Sequence, residues 1–375
     1  MSFLLLALVV LVGLLGPLLA ARAAWRVPVV VGEILGGVLI GTTGFQLVDA
    51  HADDFQLLAN IGFGLTMVVA GSHVPVADSA VRRALLGGVL GAVVVGVAAA
   101  LLGTAIAAGF GTGHAALYAV VIASSSAALV LPMIQSLGLK GASFTRLVAQ
   151  IAVADVVCIV VLPVVIAPGT SLWPVVGAVA IAAAAIVLTI VLRRVGRQTD
   201  GRERFHAYSE RRRFALELRF SLLALFAFAA IAQFATLSIM LAGFAFGLVL
   251  AAVGEPRRLA RQLFGLTEGF FGPLFFVWLG ASVDLRAILA QPSMILLGLA
   301  LGAAAVLAHL AARATGLPVM QAIAAAGQLG VPVAAVTLGL QTGSLAPGED
   351  GALLVGAVVT VAFSAWATGR MRPGP

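Results

Sequence analysis

LVAQIAVADVVCIVVLPVVI, residues 147–166, decides how the rest of the chain is read. An apolar run of about twenty residues is the length a helix needs to cross a bilayer. Its one charged residue is Asp155, near the middle. A carboxylate at that depth is costly in hydrocarbon, and such residues mark ion or proton paths. The flanking sequence has to show what Asp155 handles.

The wider composition agrees with a membrane chain. Of 375 residues, 62% are hydrophobic and 10% are charged, with a mean hydropathy of +1.14. Soluble domains carry roughly a quarter charged residues. The 43 glycines suit closely packed transmembrane helices. The only cysteine, Cys158, excludes an internal disulfide and a cysteine-based metal cluster. It reads as a small buried residue.

Apolar stretches long enough to span recur near 3–21, 27–45, 56–76, 84–110, 114–137, 145–167, 172–192, 215–235, 237–253, 263–281, 290–312, 317–341 and 351–369. The fold class is therefore an all-α polytopic membrane protein of about thirteen transmembrane helices. Ser2–Ala24 lacks the basic n-region of a cleaved signal and reads as the first span.

Charge tests that count. With thirteen spans, all but Arg286 of the 22 Lys and Arg residues fall on one face. The positive-inside rule makes that face cytoplasmic, with the N-terminus outside and the C-terminus inside. The opposite face receives Asp49, Asp53, Asp54, Asp284, Glu349 and Asp350. The net charge of +7 is thus a topology signal, and no nucleic-acid partner is expected. The basic loop 193–219 mixes Arg with Glu and Asp and reads as a solvated linker beside lipid headgroups.

The halves on either side of that loop resemble each other. VVVGEILGGVLIG (29–41) pairs with IMLAGFAFGLVLA (239–251), and GFGLTMVVAGSHV (62–74) with GFFGPLFFVWLGASV (269–283). SSSAALVLP (124–132) pairs with GQLGVPVAA (327–335). The expected organisation is an N-terminal helix (1–26), a five-helix repeat (27–167), linking helices (168–236), a second five-helix repeat (237–369) and a short tail (370–375). An odd number of spans per repeat inverts the second against the first. Transporters built this way place the substrate site where the repeats meet.

The fourth span of each repeat is interrupted. The first holds Ser124, Ser125 and Ser126, then Pro132; the second holds Gly327, Gln328, Gly330 and Pro332. Pro removes an N–H and clashes with the preceding turn, and Gly weakens the helix further. Two crossed, broken helices are therefore expected, since non-helical backbone at membrane depth survives only buried or beside a cavity. Exposed carbonyls and hydroxyls there suit a hard monovalent cation; a tight divalent site wants several carboxylates. The candidate shell around a cation at Asp155 is Ser124, Ser125, Ser126, Gln150 and the backbone near Gln328. Glu33, Glu268 and His309 are candidates along the pathway. No motif points to an enzyme: GFGTGH (109–114) has no strand before it, and HExxH and GxSxG are missing.

VPVVVGEILGGVLIGTTGF (27–45), ASSSAALVLP (123–132), AQIAVADVVCIVVL (149–162) and PLFFVWLGASVDL (273–285), in this order, resemble the monovalent cation:proton antiporter family. The resemblance is to its second branch, of bacterial sodium/proton antiporters and glutathione-gated potassium efflux systems, and it covers about residues 4–369. It implies that Asp155 is the ion-binding acid of the sixth span. The acid preceding it in relatives is Ala154 here, and the lysine that pairs with that acid falls near Ala304. Both partners of one ion pair are missing together, which avoids an uncompensated buried charge. The resemblance also implies a homodimer in the cell inner membrane, with no cofactor.

Asp155 then binds either a proton or a cation (Na⁺ or K⁺), and alternating access carries each across. With one carboxylate and no lysine, the simplest exchange is electroneutral. Two other readings stay open: a sodium-coupled organic-anion symporter of similar inverted-repeat fold, and a non-transporting membrane sensor or subunit.

Overall fold

The computed structural model describes residues 2–21, 29–72, 74, 79–127, 129–130, 141–166, 173–197, 215–235, 237, 239–254, 257–283, 286 and 290–371. Pro132, His73 and most of the loop 193–219 lie outside them. All regular structure among the described residues is helical, as expected where each backbone N–H and C=O must be satisfied within its own segment.

Each expected span corresponds to helix. The first is α1 (Phe3–Gly13) and α2 (Leu15–Ala20), joined through Leu14 with near-helical dihedrals. Then follow α3 (Val29–Ile40), α4 (Asp53–Ser72), α5 (Ser79–Phe110), α6 (Ala115–Ala123) and α7 (Ala142–Ile166). The middle of the chain supplies α8 (Trp173–Arg197) and α9 (Leu216–Phe234). The second half begins with α10 (Ile239–Val253) and α11 (Arg257–Leu266); a π-helical turn (Thr267–Phe271) then leads into α12 (Gly272–Ser282). Next come α13 (Pro292–Leu310), a 3₁₀ turn (Ala311–Thr315), α14 (Val319–Ala325), α15 (Gly330–Thr342) and α16 (Glu349–Arg370). Ten helical segments among the described residues are long and apolar enough to cross a membrane, while α3 and α10 are shorter and apolar. Short gaps interrupt the helix in the spans at 114–137 and 317–341, at residues 124–126 and 326–329.

The chain divides into two compact units. The first holds Met1–Phe55, Asp78–Gly169 and Phe276–Pro375. In it α5 packs on α6 and α7, α13 packs on α16, and α15 packs on α7 and α16. Its core includes Tyr118, Ile122, Leu147, Ile151, Ile159 and Leu162, all fully buried. Also in this unit, α3 crosses α12 at backbone contact: a Cβ on Gly37 would stand 2.0 Å from the Val277 carbonyl oxygen, and one on Gly280 2.0 Å from that of Ile34.

The second unit holds Gln56–Ala77 and Thr170–Phe275. Here α10 packs on α8 and α9. Phe63 stacks on Phe275 with ring centroids 4.6 Å apart. Arg193, in the last turns of α8, donates from its guanidinium to the Ala252 carbonyl at 2.7 Å. That contact satisfies a carbonyl left open at the end of α10.

Candidate functional site

Two helices stop short at matching places in the first unit. α6 ends at Ala123, and Ser124 turns extended (φ −70°, ψ 150°). The chain becomes helical again at Ala127, where the Val130 N–H donates to the Ser126 carbonyl at 3.0 Å. α14 ends at Ala325, and α15 begins at Gly330. Gly327 and Gln328 therefore lie in the gap. Pro332 sits in the first turn of α15, where an N–H has no intrahelical partner to lose. It opens the second half-helix; the sequence alone allowed it to be the kink.

The unwound segments touch. The Ser126 N–H donates to the Gly327 carbonyl at 2.9 Å. The open carbonyls at the two helix ends are satisfied across this contact. Gln328 Nε2 donates to Ile122 O at 3.3 Å, and the Ser125 hydroxyl to Ala325 O at 2.7 Å. Closer to home, the Ser124 hydroxyl donates to Val121 O at 2.8 Å. From α16, the Ser364 hydroxyl donates to Ala324 O at 2.8 Å, and Thr360 Oγ1 accepts from the Gln328 N–H at 3.3 Å. Each end of one broken helix is thus capped by the other or by α16, which meets the demand that buried backbone groups be paired.

Asp155 faces this crossing. Its side chain is 4% exposed, and Oδ2 accepts from the Ala127 N–H at 3.1 Å. Among the described residues no basic side chain forms an ion pair with it. Likewise, no group of three His, Cys, Asp or Glu side chains gathers anywhere among the described residues. The contact seen at the Asp155 carboxylate is thus a backbone N–H at the start of the half-helix that resumes at Ala127. Ala154 and Ala304 are both buried alanines.

The remaining candidates fall at different depths. Ser124, Ser125 and Ser126 are buried at the first break, with the hydroxyl hydrogens of Ser124 and Ser125 engaged by carbonyls. Gln150 is 1% exposed and both its amide atoms lack a partner. Five residues before Asp155, it is rotated about 140° around α7, and it lies against α5, where a Cβ on Gly91 would meet its Oε1 at 2.2 Å. The structure thus sets Gln150 and Asp155 on different sides of α7. His309 is fully buried, and Nε2 lies 3.1 Å from Ser125 Oγ. Glu33 is buried in the contact of α2 with α3, where a Cβ on Gly16 would meet its Cγ at 2.8 Å; an interfacial cap would be exposed. Glu268 is exposed on the π-helical turn of the second unit.

Two features are not anticipated by the sequence. Thr360, Ser364 and Thr368 are all buried on α16; their spacing of four is a legible polar stripe. Glu349, fully buried in the first turn of α16, accepts from the Tyr118 hydroxyl, from His114 Nδ1 at 2.8 Å and from the Ala346 N–H at 2.8 Å. This clasp joins the starts of α6 and α16, and nothing in the sequence pairs residues 235 apart.

The family profile described as "Sodium/hydrogen exchanger, transmembrane" matches residues 6–371. The chain belongs to the sodium/hydrogen exchanger family. This is a family of transporters, and the chain is a multi-pass membrane protein, as the resemblance implied. YjbQ of Bacillus subtilis (strain 168), a candidate Na(+)/H(+) antiporter by name, is 24% identical over 96% of this chain and 61% of its own length. The chain therefore spans about three fifths of that relative. The fold is that of the sodium proton antiporter MjNhaP1 from Methanocaldococcus jannaschii. Its structure at pH 8 aligns over 96% of this chain and 94% of that one, with a TM-score of 0.65 and 18% identity. A second structure of MjNhaP1 aligns over 100% of both chains, with a TM-score of 0.70 and 16% identity.

Proposed function

We propose that this exchanger carries a monovalent cation one way and a proton the other, with Asp155 as their shared seat. The observation that carries the reading is the enclosed Asp155 carboxylate, set against the Ala127 N–H beside two touching unwound segments. A buried carboxylate with no basic partner is stabilised by taking up either a proton or a cation. Both cannot occupy it at once, so the two compete. Occlusion requires that the site open alternately to each face by movement of one bundle against another. With a single carboxylate, one cation exchanges for one proton and no net charge moves. Na⁺ is the first candidate, because the family and the named relatives are described by it; K⁺ is the alternative.

The repeats are residues 27–167 and 237–369, inverted in the membrane, with the N-terminus outside and the basic face cytoplasmic. The exchanger works as a homodimer in the cell inner membrane.

The test is the full chain in proteoliposomes with an internal pH dye, challenged in turn with Na⁺, K⁺, Li⁺ and Rb⁺. Proton movement with at least one cation is expected, and a valinomycin clamp should leave its rate unchanged. Asp155→Asn should lose the signal entirely while eluting as the wild type does on gel filtration. Full exchange in Asp155→Asn removes Asp155 from the mechanism. A wild type inert to all four cations favours a non-transporting sensor.

A further inference from the structure

His309 lies on α13, five residues past Ala304, and no solvent reaches it. Its ring is held at both nitrogens. Nδ1 is 2.8 Å from the Ala305 carbonyl, one turn earlier on the same helix. A carbonyl only accepts, so Nδ1 carries the hydrogen and donates. In the neutral ring Nε2 is then the acceptor, and it lies 3.1 Å from Ser125 Oγ. The Ser125 hydroxyl has one hydrogen and two takers: Nε2 and the Ala325 carbonyl at 2.7 Å. Shared between the two, that one hydrogen ties Ser125 Oγ to both α13 and the end of α14. The next residue donates its N–H to Gly327 O, and the one after that donates to Asp155.

We infer that His309 is a positioning residue: through the Ser125 hydroxyl it holds the unwound segment 124–126 against the end of α14 and so sets where the Ala127 N–H meets Asp155. This rests on the reading of Asp155 as the exchange site. His309 forms no hydrogen bond with Asp155; its effect passes through three consecutive residues, Ser125 and Ser126 of the unwound segment and Ala127 at the start of the next helix. Burial of a histidine solely to fill space would need its polar atoms satisfied, but not by the one segment that carries the Asp155 donor.

Two amides of related size separate a strut from a packing residue. The amide of Asn reaches about as far as Nδ1, and that of Gln about as far as Nε2. His309→Asn therefore keeps the contact with Ala305 and loses Ser125; His309→Gln keeps the reach to Ser125. Exchange is measured in proteoliposomes of the full chain as a function of NaCl, or KCl if only K⁺ moves protons. Loss of one buried hydrogen bond corresponds to about fivefold. His309→Asn and Ser125→Ala are each expected to raise the half-maximal cation concentration by about that factor, and the double variant by no more than either alone. His309→Gln should stay within about twofold of wild type, on the same scale. Equal effects of His309→Asn and His309→Gln, or multiplying effects in the double variant, overturn the inference while leaving the exchange reading intact. Should His309→Asn not fold, Ser125→Ala against Ser125→Thr, which keeps the hydroxyl, decides it: an unchanged half-maximal concentration in Ser125→Ala overturns the strut. A wild type inert to every cation overturns the exchange reading and this inference together.

Discussion

At the scale of the residue, Asp155 is defined by one backbone donor as much as by its own charge. Ala127 is the first residue of the helix that resumes after the serines, and its N–H has no intrahelical partner. Proline is tolerated at that position because the missing N–H and the fixed φ both suit a helix start. Ser126 before it is already outside the helix, as a residue preceding proline prefers. Ala127→Pro should therefore fold and insert normally, yet replace the hydrogen facing Asp155 Oδ2 with a ring carbon. Hydrogen bonds to charged groups contribute about 1.5–3 kcal/mol, so the exchange rate should fall at least about tenfold. Stopped-flow dequenching beside a thermal-stability scan checks both halves; an unchanged rate removes the Ala127 donor from the site. The burial of Asp155 was legible in the sequence, because its apolar run is long enough to cross a bilayer and the carboxylate lies near its middle. Its donor was not, since that depends on where a different helix breaks. Where Gln150 points was not legible for a related reason: nearness in sequence says little until the 100° step of the helix is applied. The link from His309 to Ser125 crosses 184 residues and no local pattern records it.

At the scale of the element, the helices divide into those that meet backbone to backbone and those that meet through adaptable side chains. A Cβ on Gly280 would stand 2.0 Å from the Ile34 carbonyl oxygen, and neither helix backbone can yield without moving as a whole. A Cβ on Gly91 would stand 2.2 Å from Gln150 Oε1, the far end of a flexible side chain. Gly280→Ala should destabilise the protein by about 1–3 kcal/mol, the usual range for overpacking. Gly91→Ala should cost less, because Gln150 can swing. Melting temperatures in detergent for the two variants check the ranking; equal losses would mean that α5 and α7 are as tightly set as α3 and α12. The existence of every span was legible, because hydropathy over about twenty residues is a strong signal. The breaks were legible in position and less so in cause. Gly327 lies in the second gap, whereas Pro332 sits in the first turn of the next helix. A proline marks a helix start or a kink according to what precedes it, and that is decided by packing around Ser364 and Thr360.

At the scale of the whole molecule, the expected orientation rests on the distribution of Lys and Arg, and the sequence provides a clean way to test it. The one cysteine, Cys158, is buried in α7, so a membrane-impermeant maleimide should leave the parent protein unlabelled. His51 and Gln341 are exposed at helix ends that the charge map places outside; Ala142 and Ala314 are exposed at ends it places inside. His51→Cys and Gln341→Cys should react in intact cells, and Ala142→Cys and Ala314→Cys only in inverted vesicles. The pairs are informative because each tests a different repeat: His51 and Ala142 belong to the first, Ala314 and Gln341 to the second. Inverted repeats require that corresponding ends fall on opposite faces. On the expected orientation the span at 114–137 ends inside, ahead of Ala142, and the span at 317–341 ends outside, at Gln341. Labelling of all four from one side would contradict the inversion, and a swap of the two pairs would reverse the orientation while keeping it. The swap would also reverse which face receives the 21 basic residues that remain when Arg286 is set aside from the 22, against the bias that fixes topology during insertion.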